Sequence, residues 1–142
     1  LSEEGTIDKF LGDAIMAWFN APIPQADHVQ RAVRAALKIR QAVQALHHEL
    51  PPIFHLSFGV GMHFGEAVLG LVGTEKHMEY TAIGDSVNTA KRIQEDAAEG
   101  QILISAEAYA QVANEIVVRP VAALHAKGKR EPVHVYEVVD FK

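Results

Sequence analysis

The sequence predicts an α+β domain. Apolar runs of strand length return on themselves at Gly-containing turns, and helical stretches with a one-sided apolar stripe interrupt them. With 49% apolar residues in 142, there is enough material for one real core. Strands that alternate with helices yet come back as hairpins fit an α+β sandwich better than a doubly wound sheet.

Thr6 to Leu11 and Ala14 to Phe19 read as paired strands, ended by the breaker cluster Asn20-Ala21-Pro22-Ile23-Pro24. Asp27 is placed to cap a long helix running to about Leu50. In it Val29, Val33, Ala36 and Val43 form an apolar stripe and the arginines mostly face water. Pro51-Pro52 stops it. Phe54 to Met62 and Ala67 to Val72 read as strands around Gly65-Glu66, with Tyr80 to Ile83 a short third. Asp85 or Ser86 caps a second helix through about Ala98, closed by Gly100. Gln101 to Ser105 reads as a strand, Ala106 to Val112 as a short helix, and Val117 to Leu124 with Pro132 to Val139 as a last antiparallel pair.

Composition excludes several classes of function. A net charge of −5 argues against a broad nucleic-acid surface, so a polyanion would be met by a few placed cations. There is no cysteine, which removes disulfide frameworks, thiolate nucleophiles and cysteine zinc clusters and fits a reducing, cytoplasmic setting. No apolar run approaches the ~20 residues that span a bilayer, and LSEEGTIDKF lacks the pattern of a signal peptide. LSEEGT, followed at once by a strand, reads as the end of a helix with its Gly5 stop and predicts a fragment of a longer chain.

Within KFLGDAIMAWF, Asp13 is a lone carboxylate in a run otherwise apolar apart from Lys9. A charge there needs pairing, hydrogen bonds or a metal; equally, Gly12-Asp13 makes an ordinary hairpin tip. Gly59, Gly61 and Gly65 are spaced G-x-G-x-x-x-G in a strand that does not open a helix, so a dinucleotide loop has little support. No phosphate loop of the G-x-x-x-x-G-K-[ST] type and no G-x-S-x-G elbow is present. His47 and His48 are adjacent on a helix and cannot chelate together, while His63 either is a satisfied strand residue or lines a site.

In GDSVNTAKRIQEDA, Asn88 and Arg92 stand one helical turn apart near a helix N-terminus, where amides and dipole favour an anion. They make either a phosphate and ribose grip or a solvated face with Arg92 paired to Asp96. The cluster from Lys127 to Arg130, within AKGKR, and Lys76 can each close on terminal phosphates or be solvated turn residues.

Taken together, KFLGDAIMAWFNAP, FGVGMHFGEAVLGLVGTEKHMEYTAIGDSVNTAKRIQ and AKGKREPVHVYEV, in this order, resemble the catalytic domain of class III nucleotidyl cyclases, bacterial adenylyl cyclases in particular. The resemblance covers nearly the whole chain, and YTAIGDSVNTAKR is its most specific part. It implies a ferredoxin-like, palm-type antiparallel sheet with helices packed on it. It also implies a head-to-tail homodimer with active sites at the interface, Mg²⁺ or Mn²⁺ ions, and conversion of ATP to 3′,5′-cyclic AMP and pyrophosphate.

By position, Asp13 is similar to one of the family's two metal aspartates, and Lys9 to the residue that reads adenine. Thr81 stands where a second base-reading residue is kept; a lysine with a threonine is similar to the bicarbonate-responsive bacterial branch. Guanylyl cyclases usually place a glutamate and a cysteine there, so this pair argues for ATP. Asn88 resembles the residue that orients the ribose and Arg92 the one that meets charge on the α-phosphate. Lys127, with Lys129 or Lys76, would hold the β- and γ-phosphates.

The family's other metal aspartate belongs to an N-terminal strand, which is followed by two helices. This chain, 1–142, is expected to be a single catalytic domain lacking those elements and fused in its parent to sensory or regulatory domains. The alternative is an inactive cyclase-like dimerisation or regulatory module. The glycine-glycine-acidic signature of diguanylate cyclases is absent.

Overall fold

The computed structural model describes residues 3, 5–11, 14–21, 24–52, 58–74, 77–121, 123 and 132–142. Along them the order is β1 (Thr6–Leu11), β2 (Ala14–Trp18), α1 (His28–Glu49), β3 (Val60–Met62), β4 (Val68–Thr74), β5 (His77–Ile83), α2 (Asp85–Glu95), β6 (Ile102–Ser105), α3 (Ala106–Ala110), β7 (Ile116–Pro120) and β8 (Val135–Phe141).

The strand ILIS of β6 is buried at every residue, which is what an apolar run covered on both faces requires. Ile102 and Ile104 pack with Val29, Val33 and Ala36 of α1 and with Ala108, Val112, Ile116 and Val138. Leu103, between them in sequence, packs instead with Ile93 of α2 and with Val133 and Val135. Successive side chains on a strand point to opposite faces, so α1 and α2 cover the two sides of one sheet. The result is an α+β sandwich whose central sheet has the order β3-β6-β8-β7.

The β6–β8 and β7–β8 pairs are antiparallel, as a palm-type sheet predicts, and β3–β6 is parallel. Parallel neighbours need a long crossover, and the chain supplies one through α2. Two hairpins stand as sheets of their own, β1–β2 and β4–β5. Strands stand on either side of Gly65-Glu66 as expected, but they do not pair with each other: β4 takes β5 as its partner, from Val68↔Ile83 to Thr74↔His77, and β3 takes β6. Residues 53–57 lie outside the described ones.

Several boundaries shift for local reasons. Asp27 precedes α1 but makes no capping bond; its carboxylate accepts from Arg31 Nε at 2.9 Å instead. Val29, Val33 and Ala36 are buried as the stripe predicts, and Val43 is half-buried. The arginines of α1 are less free than expected, since Arg40 Nη2 donates to the Val139 carbonyl of β8 at 2.6 Å. Helix α2 ends at Glu95, short of Ala98, where the Asp96 amide turns to the Ile93 carbonyl at 3.3 Å and tightens the last turn. Among the described residues, no helix is long and apolar enough to cross a membrane.

Candidate functional site

The corner between β5 and α2 is made by Gly84, whose φ of +134° is open to glycine and strained for any residue with a Cβ. That corner turns the chain at once into α2, and the first turn of the helix borders an open depression of ≈ 380 Å³. Ala82, Ile83, Gly84, Asp85, Val87 and Asn88 line it. Amides at a helix start lack intrahelical acceptors and favour an anion nearby.

The orientation of α2 follows from its buried side. Thr89 and Ile93 face the sheet, and Thr89 Oγ1 donates back to the Asp85 carbonyl at 3.0 Å. Asn88 and Arg92, each one position earlier, therefore share the neighbouring face. Asn88 is exposed at the depression, as the spacing predicts. Arg92 is half-buried and donates from Nη1 to Asp96 Oδ1 at 3.2 Å. The two residues thus share a face, and the pairing of Arg92 with Asp96, read from the sequence as the other possibility, is the one this structure holds.

The loop after β3 closes against the same helix start. A Cβ added at Gly65 would meet Ser86 Oγ and would lie 3.0 Å from His63 Nε2, so this loop packs directly on the first turn of α2. His63 Nδ1 lies 2.9 Å from Ser105 Oγ, which also accepts the Ala108 amide as the cap of α3. His63 is thus a satisfied residue linking the cap of α3 to the loop beside α2.

The other candidates separate into two groups. Lys9 lies on β1 directly after a bulge, since Ile7 pairs Ala17 and Lys9 pairs Met16 with Asp8 left between them. Thr81 lies on β5 opposite Gly70, and β1 runs next to β5, so the strands of the two base-reading candidates are neighbours. Asp13, Lys76, Lys127 and Lys129 lie outside the described residues. The backbone pair Leu11↔Ala14 closes the hairpin across the two sequence positions that include Asp13. Among the described residues, no group of three or more His, Cys, Asp or Glu is placed to hold a metal ion. Glu3, buried and held by Arg34 and Lys38 of α1, had no signal in the sequence, because its partners lie more than thirty residues away.

The catalytic domain of adenylate and guanylate cyclases matches residues 6–139. A curated relative, adenylate cyclase 1 of Rhizobium meliloti (strain 1021), is 34% identical over 144 aligned residues, covering 97% of this chain and 21% of its own length. The chain therefore spans about a fifth of that relative. The adenylyl cyclase CyaB from P. aeruginosa superimposes with a TM-score of 0.88 at 30% identity, over 98% of this chain and 74% of that one. The guanylyl cyclase Cya2 gives 0.91 at 31%, over 99% and 73%. The chain belongs to the adenylate and guanylate cyclase catalytic domain family, and its α+β fold is that of class III cyclases.

Proposed function

We propose that this chain is the catalytic domain of an adenylyl cyclase, converting ATP to 3′,5′-cyclic AMP and pyrophosphate as a homodimer within a longer, regulated protein. The observation that carries the reading is the shared face of Asn88 and Arg92 beside the depression at the start of α2. The names of the Rhizobium relative and of CyaB support ATP, as does the Lys9 and Thr81 pair; the equally similar Cya2 makes GTP the competitor to test.

In the reaction the ribose 3′-oxygen bonds to the α-phosphorus, the bond from that phosphorus to the β-phosphate bridging oxygen breaks, and the hydroxyl proton is lost. Positioning and charge neutralisation are the protein's work. Lys9 and Thr81 read the adenine, Asn88 orients the ribose, and Lys127, Lys76 or Lys129 hold the β- and γ-phosphates. Arg92 meets the charge that grows on the α-phosphate. An exposed pair such as Arg92–Asp96 is worth about 0–1 kcal/mol, so a phosphate readily takes the place of Asp96. Asp13 offers the oxygen donor that Mg²⁺ or Mn²⁺ prefers. A bound divalent ion would lower the pKa of the attacking hydroxyl and neutralise the leaving pyrophosphate.

The test is cyclic nucleotide production by the intact protein with Mn²⁺, offered ATP and GTP separately, before and after Arg92→Ala. Cyclic AMP with ATP, falling tens-fold or more in turnover at little changed ATP affinity, supports the assignment. The Arg92–Asp96 pairing is what a non-catalytic regulatory module would also show. No product from the intact dimer would establish that second reading.

A further inference from the structure

The hairpin β1–β2 pairs only with itself among the described residues, yet it carries Lys9 and the sequence position of Asp13. A two-stranded ribbon is marginal in water, so its placement depends on what holds its two roots. Both roots are fastened to the start of α1.

At the far root, Asn20 and Gln25 exchange bonds: the Asn20 amide donates to Gln25 Oε1 at 3.0 Å and the Gln25 amide to Asn20 Oδ1 at 2.5 Å. Gln25 is buried, two residues before Asp27 and the start of α1. At the near root, a Cβ on Gly5 would lie 2.6 Å from the Phe19 ring, so the two roots pack on each other. Before Gly5 stands Glu3, 7% exposed. Lys38 Nζ donates to its Oε1 at 2.6 Å, Arg34 Nη1 to its Oε2 at 2.9 Å, and Arg31 Nη1 to its carbonyl at 3.4 Å. Arg31, Arg34 and Lys38 are spaced to lie on one face of α1. Arg34 also sits 5.8 Å from the Phe141 ring at the end of β8, and Arg31 pairs with Asp27. A carboxylate this buried is tolerated because cations meet it, and loss of either cation weakens that compensation.

We propose that Glu3 is a positioning residue: its ion pairs with Arg34 and Lys38 fix the β1–β2 hairpin, and with it the strand of Lys9, against α1. Its effect on turnover rests on the cyclase reading above; the mechanical half does not. Glu3→Gln keeps the shape and removes the charge.

In amide hydrogen exchange on the chain, Glu3→Gln is expected to speed exchange in β1 and β2 by about ten-fold while leaving the central strands β6 and β8 unchanged. Lys38→Gln, which leaves the Arg34 pair in place, should speed it to a lesser degree, and the double variant should do no more than Glu3→Gln alone, because the lysine's contact is already lost in it. In the intact protein, Glu3→Gln should raise KM for ATP several-fold with kcat little altered. Unchanged exchange in β1 and β2 would overturn the proposal, and so would equal acceleration in β6 and β8, which marks a purely structural role. A loosened hairpin with unchanged KM would overturn the positioning role. If the unaltered protein makes no cyclic nucleotide, the exchange data still decide the latch and the failure belongs to the cyclase reading.

Discussion

Gly61 shows how one residue sets the distance between layers. A Cβ there would meet the Gln94 amide nitrogen, with Gln94 Cα at 2.7 Å and the Ala90 carbonyl at 2.8 Å, all of it helix backbone. Helix α2 can lie on β3 only because that position has no side chain. Gly61→Ala should therefore cost about 2–4 kcal/mol, read as a fall in the urea midpoint at unchanged slope, because rigid backbone has to move. The spacing of Gly59, Gly61 and Gly65 was visible in the sequence, but its meaning was not: the glycines serve close packing on α2 and its flanks. Glu3 acts at the same scale. Hydrogen bonding from Lys38, then burial in opposition, then Arg34 leave its carboxyl below the ordinary value of 4.5. A lowered folded-state pKa means that its stabilisation is present above about 4.5 and is lost as pH falls through the folded value. Opening of the β1–β2 hairpin in the chain and in Glu3→Gln should thus differ at pH 7 and converge in acid, a difference that amide exchange in β1 and β2, referred to intrinsic rates at both pH values, would measure.

At the scale of elements, α3 is only five residues long and depends on its cap. Ser105 Oγ accepts the Ala108 amide at 3.2 Å and reaches His63 Nδ1 at 2.9 Å, with no surface exposure. Ser105→Ala should cost about 1–2 kcal/mol for the cap, with a further loss because His63 is left without that partner, as thermal unfolding would show. Element types were largely legible here because periodicity decides them: the stripe Val29, Val33, Ala36 marked α1, and the apolar run Ile102-Leu103-Ile104 marked a strand. What periodicity does not encode is the partner of each strand. Nothing in VGM or VLGLVGT says that β3 pairs with β6 across the α2 crossover while β4 keeps β5, since both choices satisfy the same apolar pattern. The shared face of Asn88 and Arg92 was legible for the same reason as the stripe, being a matter of helical spacing. The hold on the β1–β2 hairpin was not, because the sequence does not say which distant cations meet Glu3.

At the scale of the whole molecule, the β4–β5 hairpin leaves apolar side chains uncovered on a sheet of its own. Val68 and Ile83 are cross-strand partners and are 67% and 44% exposed, and Leu71 is 65% exposed. Val68 and Leu71 are an odd number of residues apart, so by strand alternation they point to opposite faces, and the ribbon is apolar on both. Two strands alone fall short of what independent stability needs. Ile83 also lines the depression beside Asn88, which makes the arm continuous with the proposed site. A second copy of the chain is the cover that the proposed homodimer would supply. Leu71→Glu places a charge on that exposed face and touches no part of the central sheet. It should leave monomer stability within about 0.5 kcal/mol of the original while shifting sedimentation velocity from dimer to monomer at micromolar concentration. If the proposed sites are shared between two copies, cyclic AMP formation by the intact protein should fall in parallel and recover as protein concentration rises. A variant that stays dimeric and fully active would place the dimer contact elsewhere on the surface.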